Sequence, residues 1–236
     1  MSRVLVAASE HFLERTNGIV TDTPLTLACW YKPVSATATG VLLTQSTVDT
    51  TQNYFYLYHF SGNAVVAQAA DATDAFFAVS SAGTSNGVWT HGCAVFAASN
   101  SRSAYINGGS KQTGTDALGT PSAPNRTLLG ARYVAPSTRD LFFDGDIAEA
   151  AIWNIALSDS EVASLYVSPG VGVYPSDVRP DALVAYWRLL GDDSPEPDDV
   201  GSNDLTVTGA TQGTHLTMQH LTGGGIVRQM MMHNEG

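Results

Sequence analysis

One stretch of this chain, Leu141 to Tyr166, combines the two patterns that decide its architecture: a strand and, directly after it, a well-signalled short helix. It reads L-F-F-D-G-D-I-A-E-A-A-I-W-N-I-A-L-S-D-S-E-V-A-S-L-Y. Phe143, Ile147, Ala151 and Trp153 are spaced for one face of an extended segment. An irregularity is expected near Gly145, because a glycine inside a strand marks a bulge or a close approach. Ser158 and Glu161 then form an S-x-x-E capping box, in which the serine accepts from a free helix amide and the glutamate reaches back. Val162, Leu165 and Tyr166 follow at helical spacing, which predicts a helix near 158–167 with one apolar stripe laid on a sheet.

Elsewhere helical patterning is nearly absent, and short β-like runs alternate with Gly, Ser, Thr, Asn and Pro clusters, the pattern of a sandwich or jelly roll. Leu25, Leu27, Cys29 and Tyr31 alternate with Thr26, Ala28, Trp30 and Lys32 until Pro33 ends the strand. Val41 to Gln45, Tyr54 to Phe60 and Ala64 to Gln68 follow, the last two joined by Ser61-Gly62-Asn63, a hairpin signal. Trp89 to Ala97 and Ser103 to Ile106 come next, and Thr127 to Gly130 leads towards Leu141. A length of 236 residues suits one large all-β domain, and 44% hydrophobic with 14% charged residues is ample for a core. The net charge of -11 argues against nucleic acid or an anionic membrane as partner, since both need a basic footprint. No run is long enough to span a bilayer, and the apolar run near the N-terminus is too short for a signal-peptide core. Synthesis and folding in a cytoplasm are therefore expected. Cys29 and Cys93 read as small buried hydrophobes, lacking the C-x-x-C spacing of a metal site.

The order F-x-G-x-I-x-E-x-x-I-W-N-x-A-L-S-x-x-E-V-x-x-L-Y resembles the closing segment of laminin G-like domains, members of the concanavalin A-like lectin and glucanase superfamily. Further motifs carry the resemblance: P-L-T-L-A-C-W-Y-K-P resembles the family's first central strand, and G-V-W-T-H-G-C-A-V-F its W-x-H-x-A-V strand. A-Y-I-N-G-G-S-K-Q-T-G is similar to its Y-x-N-G hairpin, and T-L-L-G-A-R to the strand after it. In order, over roughly 145 residues, they amount to a domain's worth of chain. The resemblance implies an all-β fold, a two-sheet antiparallel jelly-roll sandwich.

The pattern departs from the family at both ends. Residues 181–193 and 201–211 look like the segment that opens such a domain, yet here they follow the helix, and about thirty residues cannot bury a core of their own. A single jelly roll over 1–214 is expected, with permuted opening strands at 182–210 pairing back into the same sandwich. Residues 215–236, with a triple glycine and a methionine run, form a C-terminal arm, either docked on a neighbouring subunit or loosely held.

Three groups of residues invite a functional reading. Asp144, Asp146 and Glu149 spell D-x-D-x-x-E, similar to the E-x-D-x-x-E of laminarinase-type glycosidases, where the outer glutamates are nucleophile and general acid. Such chemistry needs two carboxyls about 5–5.5 Å apart, and an aspartate in first position is one methylene short. No enzymatic activity and no catalytic residue are expected. Asp144 and Asp146, or alternatively the acidic loop Asp192 to Asp199 with Asp204, offer oxygen ligands of the type calcium takes, so calcium is the one ion to consider as a cofactor. Trp30, Tyr54, Tyr56 and Tyr58 are the candidate ligand-binding aromatics: a tyrosine row on one strand face can stack sugar rings or can pack as core.

These readings converge on a non-enzymatic surface binding and assembly module. Free-standing modules of this type resemble phage structural and adhesion proteins, which implies a bacteriophage virion structural protein, a decoration or fibre-associated subunit displayed on the virion surface. Its partners would be other protein subunits, of the virion or a homo-oligomer, and a cell-surface glycan. The alternatives are a calcium-dependent carbohydrate-binding lectin and, less favoured, a β-glucan hydrolase.

Overall fold

A computed structural model describes residues 1–35, 39–48, 52–83, 85–119, 121, 124–191, 194–222 and 225–226. In chain order the strands are β1 (Ser2–Leu5), β2 (Phe12–Arg15), β3 (Leu25–Pro33), β4 (Gly40–Ser46), β5 (Tyr54–Phe60), β6 (Ala64–Ala70) and β7 (Ala75–Gly83). Next come β8 (Thr90–Ala98), β9 (Ser101–Ile106), β10 (Gly109–Gly114), β11 (Arg126–Leu129), β12 (Arg132–Ala135), β13 (Thr138–Asp140) and β14 (Gly145–Trp153). After helix α1 (Asp159–Ser164) follow β15 (Tyr166–Ser168), β16 (Val171–Val173), β17 (Leu183–Trp187), β18 (Thr206–Thr208), β19 (Thr211–Gly213) and β20 (Thr217–Gln219).

Two large antiparallel sheets face each other, as the jelly-roll expectation requires. One runs β10-β9-β8-β3-β14-β1-β19 with β17 also on β14; the other runs β18-β2-β11-β4-β5-β6-β7. Alternation along β3 explains its central place. Leu25, Leu27, Cys29 and Tyr31 point into the core between the sheets, where they meet Phe55, Leu57, Phe96, Ile147 and Trp187. Ala28 and Trp30 point the other way and are covered as well, so this strand is apolar on both faces. Cys29 and Cys93 are free and fully buried, and they belong to clusters on opposite faces of the same sheet. Burial pushes both thiols far above their usual range.

A second apolar layer lies outside the eight-stranded sheet. Leu157, Val162 and Leu165 bring α1 down onto Ala28, Cys93 and Trp153, and the Thr26 hydroxyl fixes the approach by donating to the Ile155 carbonyl (2.8 Å) and accepting from the Leu157 amide (3.1 Å). Beside it a small sheet of β15, β16 and β20 covers Trp30; β20 runs parallel to β16. The helix is shorter than the pattern predicts. It stops at Ser164, whose hydroxyl turns back to the Glu161 carbonyl (2.6 Å), and Tyr166 to Ser168 are extended. The chain after the helix returns to the sandwich: β17 pairs with β14 and β18 with β2. Trp187 is fully buried in the main core, its indole N–H donating to the Asn203 carbonyl at 2.8 Å.

Candidate functional site: a groove beside the bulged strand

The site is built on an irregularity in β14. Against β3, register runs from Gly145 to Ala148 and resumes at Ala151, and Glu149 between them has φ +53°. This is a bulge, four residues beyond Gly145, where the expected irregularity is a close approach: a Cβ there would come within 2.3 Å of the Lys32 carbonyl oxygen. The consequence of the bulge is a change of face. Phe143 and Ile147 lie in the main core, but Ala151 and Trp153 pack outside the sheet under the helix. The partner strand changes there too. β1 pairs with Gly145 to Ile147, and β17 takes over from Ala150.

The bulge buries the Glu149 carboxylate. Tyr186 donates its hydroxyl to Glu149 Oε2 in a short contact, and His215 Nε2 lies 2.9 Å from Oε1. The opposite ring nitrogen of His215 donates to the Leu216 carbonyl at 2.8 Å. Burial and then the Glu149 charge push the Tyr186 phenol well above its ordinary range. Outside this buried cluster the surface opens into a groove of about 510 Å³ lined by Tyr174, Tyr186, Arg188, Asp199 and His220, together with Ser176 and Val200. The Arg188 guanidinium stands 5.4 Å from the Tyr174 ring and 3.8 Å from the Asp199 carboxylate, and the His220 ring packs 4.5 Å from Tyr174. Partial burial raises the Asp199 carboxyl, with Arg188 opposing and Glu149 adding to the shift.

Local sequence explains the presentation. In A-Y-W-R, the end of β17 and the residue after it, Trp187 enters the core while Tyr186 and Arg188 line the groove on the other face. Asp198 then folds the following loop: its carboxylate accepts from the amides of Tyr186 (2.9 Å), Val200 (3.1 Å) and Asn203 (3.1 Å), setting Asp199 beside Arg188.

The residues singled out from sequence lie elsewhere. Trp30 is only 1% exposed. It stacks on Tyr166 (5.7 Å, 20°) beneath Leu216 and Met218, and a Cβ at Gly172 would come within 2.7 Å of its indole nitrogen. Coverage by the small sheet removes it as a surface platform. Tyr54, Tyr56 and Tyr58 do share a face, the outer one of the seven-stranded sheet, so they are not brought together with Trp30. Tyr54 and Tyr56 are buried and stacked on each other (3.7 Å, 8°), and Tyr58 alone is partly exposed. Burial pushes the Tyr58 phenol up to about 12, so it stays a donor at neutral pH.

Asp144 and Asp146 are also engaged. Asp146 accepts from the Ser2 hydroxyl (2.7 Å) and pairs with Lys32 (3.1 Å); Asp144 accepts from the Ala7 amide (3.3 Å). Among the described residues no three His, Cys, Asp or Glu side chains gather as a metal set. Asp192 and Asp193 of the other acidic loop lie outside the described residues, while Asp198 and Asp204 are spent on backbone amides. Apart from Asp199, which the sequence offers as an oxygen ligand of the acidic loop, the groove residues escaped the sequence reading because they come from four separate segments and form no spaced motif.

Residues 9–163, more than half of the chain, match a laminin G family model described as the concanavalin A-like lectin/glucanases superfamily. The chain belongs to this superfamily. No curated protein matches it by sequence. Among solved structures, likeness in fold is seen to a native heptameric SAP-like pentraxin from Limulus polyphemus, with TM-score 0.58 and 16% identity over 70% of this chain and 81% of that one. A candidate carbohydrate-binding protein from Bacteroides ovatus ATCC 8483 superposes over 91% of this chain and 59% of its own, with TM-score 0.65 and 16% identity. The CBM40 domain of the Ruminococcus gnavus IT-sialidase, bound to α2,3-sialyllactose, gives TM-score 0.53 and 17% identity over 66% and 96%. Strands β17 to β20, which supply the groove's Tyr186, lie beyond the span the family model covers.

Proposed function

We propose that this protein is a non-enzymatic binding module that holds a glycan in the groove of Tyr174, Tyr186, Arg188, Asp199 and His220. The observation that carries the reading is the Arg188–Asp199 pair set beside an aromatic ring in an open cleft. A guanidinium donates in a fork and a carboxylate accepts in one, so the pair suits vicinal hydroxyls, while the ring offers an apolar surface to a sugar face. Because the two charges offset each other, the favoured ligand is a neutral saccharide. The likeness to a sialyllactose-bound module supports the reading at the level of fold.

Absence of turnover is part of the proposal. Its support is that of the two outer carboxylates Glu149 is sealed by Tyr186 and His215, and Asp144 accepts from the Ala7 amide. A glycan array followed by titration calorimetry tests the whole reading. Neutral oligosaccharides should bind, unchanged by a chelator, and Arg188→Ala should weaken them about tenfold, the worth of one charge-assisted contact. Undiminished binding by that variant removes the groove from the reading. Chelator-sensitive binding favours a calcium-dependent lectin instead, and β-glucan turnover abolished by Glu149→Gln sinks the non-enzymatic claim.

A finer reading makes the module a bacteriophage virion surface subunit. One observation favours it: Leu221–Thr222 pairs with Gly225–Ile226 as a two-stranded hairpin that joins no other described strand. An isolated hairpin is marginal in water and suits completion by a neighbouring subunit. Mass spectrometry of particles purified after lysis should find the chain; its absence from them rejects this reading.

A further inference from the structure

The groove has a neighbour. A smaller open cleft of about 200 Å³ is lined by Arg188, Leu190, Gly191, Glu196, Pro197 and Asp199. Groove and cleft share only Arg188 and Asp199, so this pair stands as a ridge between them. The order of residues after β17 explains the layout. Trp187 and Leu189 enter the main core, while Tyr186, Arg188 and Leu190 face outward as one row. Tyr186 belongs to the groove, Leu190 to the cleft, and Arg188 to both.

The ridge is within reach of a ligand. The Arg188 side chain is 40% exposed and that of Asp199 39%. Their separation of 3.8 Å is wider than the about 2.7–2.9 Å of a formed charge-assisted hydrogen bond, so neither group saturates the other. The backbone beneath them is fixed. The Asp199 amide donates to the Tyr186 carbonyl at 2.8 Å, and the Glu149 amide to the Arg188 carbonyl at 3.4 Å.

The cleft differs from the groove in chemistry. Leu190 is half-buried and Pro197 exposed, which gives it two accessible apolar walls. Its further carboxylate, Glu196, is 2% exposed and committed to Arg3, whose Nε donates to it at 2.8 Å. The Glu196 backbone is paired with Leu205 in both directions, at 2.7 and 2.9 Å. A ligand in the cleft therefore meets apolar surface and the ridge.

We infer that groove and cleft form one extended site for a neutral oligosaccharide of at least two units, laid across the Arg188–Asp199 ridge. One unit lies against Tyr174 in the groove, and the next sets its C–H face on Leu190 and Pro197. This inference rests on the glycan reading of the groove and adds chain length as the property the site selects. Because the surface is preformed, the added contact emerges as affinity.

Titration calorimetry on the full chain tests it with two neutral β1,4-linked series, of glucose and of N-acetylglucosamine, at one, two and four units. In the series that binds, the longer members should exceed the monosaccharide by about tenfold, equivalent to about 1.4 kcal/mol. Amide NMR shifts with the monosaccharide should centre on Tyr174, Tyr186 and His220, and with the longer members should extend to Leu190 and Gly191. Pro197→Trp, which fills the cleft from an exposed position, should bring the longer members down to the monosaccharide's level. Because that change removes a proline from the loop, Leu190→Ser provides an independent arm: it strips one apolar wall, and it too should reduce the length dependence. Arg188→Ala should weaken every length. Equal affinity at all lengths, shifts that never reach Gly191, or a length dependence that survives both cleft variants each overturn the extended site and leave the groove reading standing. No binding by any member of either series overturns both.

Discussion

His91 of β8 lies opposite Trp30 of β3, their rings 5.4 Å apart, with 2% of its surface exposed and no hydrogen-bond partner for Nδ1 among the described residues. Burial depresses its pKa to about 3, against about 6.5 for an unfolded histidine. Below 6.5 the unfolded chain takes up a proton that the folded one refuses, so stability falls as pH drops towards 3 and is fully present above 6.5. The slope from this residue approaches about 1.4 kcal/mol per pH unit. Urea midpoints measured from pH 7 to 4 should therefore decline, and His91→Leu should flatten the decline; an unchanged slope would place the acid sensitivity elsewhere. At this scale the sequence is a good guide to hydrophobicity and a poor one to coverage. Trp153, which the sequence places on an apolar face of its strand, is fully buried. Trp30 has the same pattern as a surface platform, because the strand that hides it, β20, is nearly two hundred residues away.

The capping box is the clearest case of an element legible in the chain. Ser158 Oγ accepts from the Glu161 amide at 3.3 Å, and Glu161 Oε2 accepts from the Ser158 amide at 2.7 Å. Ser158→Ala should cost about 1 kcal/mol, read as a lower thermal midpoint with the near-UV signal preserved. The strand before it was legible in extent but not in face. A bulge at Glu149 flips everything after it, and no residue type announces a bulge at glutamate. The turn after β6 is held by a different device. Asp71 accepts from the amides of Thr73 (2.7 Å), Asp74 (2.8 Å) and Gly119 (2.6 Å), the last from a segment 48 residues on. These bonds lower its carboxyl to about 2, so their contribution is complete above 3.8 and is lost as pH falls to about 2. Asp71→Ala should speed hydrogen exchange at Gly119 as well as within the 71–74 turn. Protection retained at Gly119 would show that its loop is anchored by other means.

For the whole molecule, the span that matches the family model is not a self-sufficient sandwich. It leaves out Trp187 and β18, which occupy the core and the edge of the second sheet. A chain ending at residue 163 exposes the β14 edge and empties a tryptophan from the core, a loss of about 3–5 kcal/mol for the side chain alone. Expression of residues 1–163 should give aggregated or unfolded protein, and a cooperative unfolding transition from that fragment would contradict the assignment of β17 as a structural strand. The register of β1 against β19, Ser2 opposite Gly213 in antiparallel sense, has one more outcome. Both strands leave the sheet at the same corner. A host protein could therefore receive residues 1–214 within a single surface loop, its two junctions a strand's width apart, without stretching its own chain.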